Sequence, residues 1–400
     1  MKVLFFINTV TPYFASIISK LYLKGIESAV VIPKSSKNQS VGAGVKTAED
    51  ITSFKIIHLN VRKAFYGKQK FDGVLQTLSD ETPDIVVFTW PFLLQLYFDR
   101  SIIKQIKSSG KKLVLQEIPF DVPPYGQLSY FKQHPVYDEN IKLLSGSVSF
   151  NLRARFIMHI RKYLYSRADG ALNYISNSKD FLLGYGIDEQ RIYVTFNSSD
   201  TTTLQKTKET VNSMPPLLPP MLRVIHIGRL VKWKRVDLLI DAFSTVLSSI
   251  KDVELLVVGD GPELEPLKKQ AKNLNITSSV RFAGGVYDPE TLGKFMLESS
   301  IYVLAGMGGL SINDAMTYGL PVICSVCDGT EKDLVRDGQN GFFFTVGDAA
   351  DLADKMMILL NNKELIKKFG KKSEEIITNE INIDTVSERY YRAFKDIIGR

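Results

Sequence analysis

The chain has 400 residues, with 50 Lys and Arg against 43 Asp and Glu, and 44% of its residues are hydrophobic. This length predicts about two or three domains that each bury a core, and the ordinary charge content excludes a disordered chain. Two cysteines exclude a disulfide scaffold, and no apolar run approaches the roughly 18 to 20 residues of a membrane-spanning helix. We therefore expect a cytoplasmic globular protein.

The net charge of +7 is concentrated in the first half of the sequence. Residues 1–200 carry 25 Lys and Arg against 17 Asp and Glu, whereas residues 201–400 carry 25 against 26. Nucleic acid, an anionic membrane surface and an acidic ligand are all partners for such an excess, and a solvated basic surface without a partner is the remaining alternative.

Short Val, Ile, Leu and Phe runs alternate with longer amphipathic stretches along the whole chain. Six runs extend from Val3–Ile7 to Ile192–Thr195, and six more extend from Leu222–Ile227 to Gly341–Phe343. Nearly continuous apolar strands separated by helical segments are typical of parallel α/β sheets that are covered on both faces. The sequence therefore predicts an α/β fold with two doubly wound domains.

A basic segment, Asn151–Arg167, lies near the end of the first series of strands. It has five basic residues and no acidic one, and its apolar residues recur at near-helical spacing: Phe156, Ile157, Ile160, Tyr163 and Leu164. This pattern predicts either an amphipathic helix that lies on anionic lipid or a core helix with a basic outer face.

The boundary between the two series follows a Thr- and Lys-rich stretch. Residues 215–220 contain four prolines, which neither continue a helix nor fit a central strand. We therefore expect an N-terminal domain over residues 1–200, a Pro-rich linker over 201–221 and a C-terminal domain over 222–383. The last segment, 384–400, predicts a helix with Asp384 as its N-cap.

The strongest chemical signal directly follows the strand RVIHI, where the chain reads GRLVKWK. Gly228 lets the backbone turn, and Arg229 and Lys234 project from the carboxyl end of a parallel strand, where open α/β sheets bind their ligands. An Arg fork and a Lys point charge suit a diphosphate. Surface cations on a loop are the alternative interpretation.

Two further glycine turns follow strands of the second series. The strand ELLVV ends in Gly259–Glu263, and the strand IYVL leads into the glycine loop, Gly306–Leu310, before a predicted helix. Bare backbone N–H groups at such a turn favour an anion. Asp314, one turn into the helix, is placed to accept hydrogen bonds from ribose hydroxyls, or it is a solvated acid that complements the helix dipole.

Together these segments resemble the donor-binding domain of retaining glycosyltransferases of family 4 (glycosyltransferase group 1), which have the two-domain GT-B fold. The resemblance follows the order and spacing of GRLVKWK, ELLVVGDGPE, VRFAGGV, GGLSINDAMTYGLPVI and VRDGQNGFFF. It implies two Rossmann-like domains that face each other across a cleft, with the acceptor on the N-terminal domain and the donor on the C-terminal one. It also implies that the C-terminal helix packs back on the N-terminal domain.

The resemblance assigns roles to residues of both halves. It implies that Arg229 and Lys234 are catalytic. The donor-binding residues that it implies, several of them through main-chain groups, are Gly228, Glu263, Gly285, Val286, Gly308, Gly309, Leu310, Ser311 and Asp314. On the acceptor or donor-sugar side it implies Asn8, Thr9 and Glu117, the last near the position where the family often has a His that touches the sugar.

One position departs from the family pattern. The family has two acids eight positions apart around the glycine loop, and here they correspond to Gly306 and Asp314. Gly306 has no side chain with which to hold the donor sugar. Backbone groups of the loop, another residue such as Glu117, or a site that has lost activity are the three explanations.

The resemblance implies a retaining, metal-independent hexosyltransferase that moves a sugar from a nucleotide diphosphate, UDP being the commonest in the family, to a glycan or lipid-linked glycan. The sequence has no Asp-x-Asp pair, so we expect no metal and no cofactor. Bacterial surface polysaccharide synthesis at the inner face of the cytoplasmic membrane is the implied setting, with no nucleic-acid partner. A catalytically impaired subunit that binds nucleotide or a partner transferase, and a nucleotide-sugar epimerase, are the alternatives.

Overall fold

The computed structural model describes residues 1–34, 54–117, 122–138, 141–327 and 329–400. These residues form two units that each have their own contacts and core. The first unit comprises the described residues of Met1–Tyr137, Leu143–Phe196 and Asp384–Arg400. The second comprises those of Asn197–Ile383 together with the described residues between positions 138 and 142.

The first unit is built on a parallel sheet of seven strands in the order β3-β2-β1-β6-β7-β8-β9, beside a two-stranded antiparallel hairpin, β4-β5. Its strands are β1 (Lys2–Phe6), β2 (Glu27–Pro33), β3 (Lys55–Leu59), β4 (Val61–Lys63), β5 (Gln69–Phe71), β6 (Ile85–Thr89), β7 (Lys112–Gln116), β8 (Gly170–Asn173) and β9 (Ile192–Val194). Its helices up to this point are α1 (Pro12–Leu23), α2 (Val74–Glu81), α3 (Leu93–Phe98), α4 (Arg100–Ser108), α5 (Tyr130–Gln133), α6 (Val148–Tyr165) and α7 (Ser178–Leu182).

The second unit is built on a parallel sheet of six strands in the order β12-β11-β10-β13-β14-β15. Its strands are β10 (Leu222–Ile227), β11 (Val253–Val258), β12 (Val280–Gly284), β13 (Ile301–Leu304), β14 (Val322–Cys324) and β15 (Gly341–Phe343). Its helices are α8 (Thr201–Asn212), α9 (Val236–Ser249), α10 (Leu264–Asn273), α11 (Pro289–Leu297), α12 (Ser311–Thr317), α13 (Thr330–Leu334), α14 (Ala349–Leu360) and α15 (Lys363–Asn379).

The strand pattern predicted from the sequence is confirmed, because every one of the predicted apolar runs overlaps a strand of one of the two parallel sheets. These strands are almost wholly buried, as in β11, where all six residues are buried. Three further strands were missed. β3 has exposed residues at both ends of its short apolar stretch, and β4 and β5 are only three residues long. None of the three therefore shows a continuous apolar run.

The predicted linker is wrong over its first half. Residues 201–212 form α8, and the Asp200 carboxylate caps it by accepting a hydrogen bond from the Thr203 N–H at 3.1 Å. The prolines begin only after this helix, at Pro215, so they do not interrupt it. The second unit therefore begins at Asn197, ahead of the predicted boundary.

The last helix, α16 (Ile383–Gly399), lies in the first unit from Asp384 onward. Asp384 lies inside its first turn rather than at the N-cap, and it accepts a hydrogen bond from the Lys20 ammonium at 2.6 Å. Tyr390 is fully buried and receives a hydrogen bond from the Gln116 amide at 2.6 Å. Among the described helices, none is both long and apolar enough to cross a membrane.

Candidate functional site

The predicted donor-site residues of the second unit lie at the carboxyl ends of four adjacent strands, β12, β11, β10 and β13. From β10 the chain proceeds outward through β11 to β12, and then returns to the other side of β10 to form β13. The strand order therefore reverses between β10 and β13. In open α/β sheets this topological switch point is where ligands bind.

The turns after β10 and β11 are packed against each other through their backbones. The Leu230 N–H donates to the Asp260 carbonyl at 2.9 Å, and the Glu263 N–H donates to the Leu230 carbonyl at 3.0 Å. A Cβ on Gly259 would lie 1.8 Å from the Gly228 carbonyl oxygen, and one on Gly261 would lie 2.3 Å from that of Leu230. Glycine is therefore required at both positions by close backbone approach.

Lys234 joins the turn after β10 to the glycine loop after β13. It ends a short 3₁₀ turn, Lys232–Lys234, and its ammonium donates to the Met307 carbonyl at 2.8 Å and to the Gly308 carbonyl at 2.6 Å. Arg229 lies half-buried on the same turn, and in the described part of the chain its guanidinium has no recorded hydrogen-bond or ion-pair partner. The two predicted catalytic cations thus lie beside the switch point.

Close backbone packing explains why position 306 is a glycine. A Cβ at this position would lie 2.2 Å from the Trp233 carbonyl oxygen and 2.6 Å from the Lys234 carbonyl carbon. The same two segments are joined by the Met307 N–H, which donates to the Trp233 carbonyl at 2.8 Å. No side chain fits here without moving the backbone, so the position of the family's first acid is closed by the 3₁₀ turn.

Asp314 lies on α12, a helix of seven residues that follows the glycine loop. The Ser199 hydroxyl hydrogen-bonds to its carboxylate, while its Oδ1 is buried and has no partner within the described residues. Burial raises the pKa of this carboxyl to about 6. The alternative interpretation as a solvated acid is therefore wrong. A buried acceptor without a donor suits a ligand hydroxyl.

Other donor-side residues lie at the same edge of the sheet. Ser311, the first residue of α12, accepts a hydrogen bond at 2.7 Å from the buried Tyr302 hydroxyl. Gly309 lies close to Lys234, since a Cβ there would be 3.2 Å from the Lys234 ammonium. Gly285 and Val286 follow β12, which is joined to the neighbouring turn by the Gly259 N–H donating to the Gly284 carbonyl at 2.8 Å.

His226 is a residue that the sequence reasoning missed. It is fully buried in β10, and its Nδ1 lies 3.0 Å from the Val303 carbonyl oxygen, so Nδ1 carries the proton. Its Nε2 has no partner among the described residues and lies 3.6 Å from the point where a Gly228 Cβ would be. Burial, with a smaller effect of Lys234, lowers its pKa to about 4. The signal in the sequence is a histidine between two isoleucines at the carboxyl end of the strand RVIHI.

The residues predicted on the acceptor or donor-sugar side belong to the first unit. Asn8 is exposed and Thr9 half-buried in the turn between β1 and α1. Glu117 is buried, and its carboxylate accepts hydrogen bonds from the Arg161 guanidinium at 2.9 and 3.0 Å and from the Tyr165 hydroxyl at 2.8 Å. Glu117 is therefore one half of a buried ion pair, and its role toward the sugar stays a prediction.

The basic segment forms α6, and most of the apolar residues that the sequence pattern singled out lie on its core face. Ile160 and Leu164 are buried in the core of the first unit, and Ile157 and Tyr163 are half-buried. The apolar spacing that the sequence showed is thus mainly the spacing of the core face. Of the residues predicted to face lipid, Phe156 alone is exposed, at 47%.

The two cysteines, Cys324 and Cys327, are not joined in a disulfide. Cys324 is buried in β14, and the Cys327 thiol donates to the Gly306 carbonyl at 2.9 Å. Across the described ranges, no three His, Cys, Asp or Glu side chains lie close enough together to hold a metal ion.

Comparison with known proteins bears on this site directly. Residues 220–376 match the model of the family described as Glycosyl transferases group 1. The chain is 25% identical over 270 residues to N-acetyl-alpha-D-glucosaminyl L-malate synthase of Bacillus anthracis, covering 66% of this chain and 67% of that one. It is 29% identical over 170 residues to poly(ribitol-phosphate) alpha-N-acetylglucosaminyltransferase of Staphylococcus aureus, covering 42% of this chain and 34% of that one.

Among solved structures, the chain is similar to Anabaena HepE in complex with UDP, with a TM-score of 0.68 and 16% identity, covering 99% of this chain and 100% of that one. At this identity the likeness shows the fold alone. The resemblance seen in the sequence is thus confirmed for the second unit by the family match and for the fold by the whole-chain superposition. Residues 220–376 match the group 1 glycosyltransferase family, and the chain has the GT-B fold.

Proposed function

We propose that the protein is a retaining, metal-independent glycosyltransferase that uses a nucleotide-diphosphate sugar, with UDP as the nucleotide. The observation that carries this proposal is the Lys234 ammonium, held by the Met307 and Gly308 carbonyls at the switch point beside Arg229. A fixed ammonium and a guanidinium without a recorded partner among the described residues suit a diphosphate. The solved complex of HepE with UDP supports the choice of nucleotide.

In this proposal the enzyme supplies charge rather than a nucleophile. The bond between the sugar C1 and the diphosphate oxygen breaks, and the acceptor oxygen bonds to C1 on the same face. The acceptor proton passes to the departing phosphate. Negative charge grows on the diphosphate as the bond breaks, and Arg229 and Lys234 stabilise it more strongly in the transition state than in the substrate.

The nucleoside is expected to lie toward Asp314 and the turn after β12. With a pKa of about 6 the Asp314 carboxylate is mostly ionised at neutral pH, so its unpartnered Oδ1 is proposed to accept a hydrogen bond from a ribose hydroxyl. Main-chain groups of Gly285 and Val286, with Glu263 from the neighbouring turn, are proposed to meet the base. The N–H groups of Gly308 and Gly309 are proposed to meet the phosphates.

The acceptor is proposed to be a glycan or lipid-linked glycan of a bacterial surface polysaccharide. The excess of Lys and Arg in residues 1–200 favours an anionic acceptor over a neutral one. The names of the two relatives give L-malate and poly(ribitol-phosphate), both of which are anionic. We place Asn8 and Thr9, in the turn after β1, on the acceptor side.

Gly306 favours one competing candidate, a catalytically impaired subunit that binds nucleotide without transferring sugar. The 3₁₀ turn fills the place of the family's first acid, so no side chain from this position reaches the sugar. A nucleotide-sugar epimerase on the same fold is distinguished by forming product without an acceptor.

A pair of matched lysine variants tests the proposal. Lys234→Ala is expected to abolish nucleotide release, while Lys232→Ala, an exposed lysine of the same turn, is expected to keep it. A thermal-shift screen with UDP- and GDP-sugars, in which both variants remain folded, accompanies the release assay. Stabilisation without release favours the impaired subunit. Near-normal turnover by Lys234→Ala, or no response to any nucleotide, refutes the proposed donor site.

A further inference from the structure

The outward face of α6 is unusually apolar for a surface helix. Val148, Leu152 and Phe156 follow each other at four-residue intervals and are 77%, 62% and 47% exposed. This spacing places them in one row along the helix. Arg155 is exposed beside this row, and α6 contains no acidic residue. Surface helices ordinarily have polar residues on this face.

A second exposed apolar side chain, Phe65, lies at the tip of the β4-β5 hairpin and is 86% exposed. Residues 61–71 contain four basic residues, Arg62, Lys63, Lys68 and Lys70. The Arg62 guanidinium is paired with the Asp72 carboxylate at 2.8 Å, which leaves the three lysines as the excess charge. The hairpin therefore combines an aromatic tip with a cluster of cations, as the outward row of α6 combines apolar side chains with Arg155.

Ring contacts join these two features into one surface. The rings of Phe65 and Phe98 have centroids 4.8 Å apart, and those of Phe98 and Phe156 are 6.2 Å apart. Arg153 lies near enough to Lys68 to lower the pKa of that lysine, after the larger effect of burial. We call this surface, comprising Phe65, Val148, Leu152, Phe156 and the cations around them, the basic apolar face.

We propose that the first unit docks on an anionic lipid bilayer through the basic apolar face. Exposed aromatic and aliphatic side chains enter the boundary between headgroups and acyl chains, while Lys and Arg beside them are attracted to anionic headgroups. The occupant is a bilayer rather than a second copy of the chain, because cations from the hairpin and from α6 cluster on this face. Apposed copies of the face would repel one another.

This surface differs from the one that the sequence pattern predicted. Leu152 and Phe156 fall within the segment 151–167 that the sequence predicted to contact a membrane, whereas Val148 and Phe65 lie outside it. Ile160 and Leu164, which the pattern also included, are core residues. The proposal stands apart from the donor site, since all its residues belong to the first unit. It therefore survives or fails independently of the proposed transferase activity.

Vesicle sedimentation with the full chain tests the proposal. Wild-type protein is expected to bind phosphatidylcholine vesicles that contain phosphatidylglycerol at low salt, and to bind pure phosphatidylcholine vesicles far more weakly. Phe65→Ser with Leu152→Ser is expected to weaken binding by about tenfold or more, since two large apolar contacts are lost. Arg155→Gln is expected to weaken it by about fivefold, with a shallower salt dependence.

A double substitution at exposed apolar positions of the second unit, Leu217→Ser with Val346→Ser, is the matched control, because these side chains are 53% and 66% exposed. It is expected to bind as wild type does. Circular dichroism checks the fold, and the Arg155→Gln variant and the salt titration carry the test if the double variant unfolds. No binding by wild type, equal loss in the control, or a change of oligomeric state in place of vesicle binding overturns the proposal.

Discussion

Gly306→Ala adds one methyl group where the glycine loop passes the 3₁₀ turn of Lys232–Lys234. The new Cβ would lie 2.2 Å from the Trp233 carbonyl oxygen, well inside the van der Waals separation of about 3.5 to 4 Å. The obstacle is backbone on the far side, which no rotamer change relieves. The loop or the turn must therefore shift by roughly 1 Å or more.

The free energy that this shift costs has two parts, the steric overlap itself and the hydrogen bonds that join the glycine loop to the 3₁₀ turn. Overpacking of this kind costs about 1 to 3 kcal/mol. The Lys234 ammonium also loses alignment with the Met307 and Gly308 carbonyls, and hydrogen bonds to a charged group contribute about 1.5 to 3 kcal/mol each when intact. We expect the free energy of unfolding to fall by about 2 to 5 kcal/mol, which lowers the melting temperature by roughly 5 to 15 °C.

Turnover is expected to fall more steeply than stability. Lys234 and the glycine loop are both proposed to face the diphosphate, and a displacement of about 1 Å at such a site costs about 10²-fold in rate. Gly306→Glu introduces the acid that the family resemblance implies at this position, yet it carries the same Cβ. It is therefore expected to lose activity rather than gain it.

Calorimetry and a nucleotide-release assay measure the two effects. Gly399→Ala is the control, because a Cβ at that glycine has no atom within 4 Å. It is expected to melt and turn over as wild type does. A Gly306→Ala variant with the melting temperature and turnover of wild type would refute the reasoning, and a more active Gly306→Glu would show that the 3₁₀ turn yields readily.

Three further predictions concern buried ionisable groups. Glu117→Gln leaves the Arg161 guanidinium buried without its carboxylate, so the free energy of unfolding measured in urea is expected to fall by about 3 to 5 kcal/mol. The double substitution Glu117→Leu with Arg161→Met removes both charges and is expected to lower it by less; a larger loss in the double variant would contradict the pairing. The Asp314 pKa is raised from 3.8 to about 6, so stability is lost as the pH rises through that window, and at neutral pH Asp314→Asn is expected to be more stable than wild type by at most about 3 kcal/mol. The His226 pKa is lowered from 6.5 to about 4, so stability is lost as the pH falls through that window, and His226→Gln is expected to abolish this loss in melts recorded between those pH values.

The sheet of the second unit illustrates how far local pattern reaches. The glycine turns at Gly228, Gly259 and Gly306 each follow a buried strand, and parallel strands end at one edge of their sheet, so their meeting there was predictable. His226 was not singled out, because one histidine in a strand has the same local pattern whether it faces a site or solvent. Its role depends on Val303, which lies 77 residues away.

The first unit shows where the same reasoning stops. In α6, apolar residues occur on two faces, and helical spacing does not say which face meets the core; the packing of Ile160 and Leu164 decides it. Glu117 was interpreted as a site acid because its partner, Arg161, is 44 positions away along the chain. Because of the prolines at 215–220, the linker was predicted to begin at residue 201, although residues 201–212 form α8 and Asp200 caps that helix.

Two kinds of information are therefore separable in this protein. Local sequence pattern was enough to predict the α/β class, the sheet edge at which the site lies and the family resemblance. That pattern consists of the apolar runs, the glycines that follow them and the cations Arg229 and Lys234. Which helix face is buried, which acid is paired and why Gly306 has no side chain depend on contacts between segments far apart in sequence. Only the tertiary structure decided these, because burial and close approach are properties of neighbours in space.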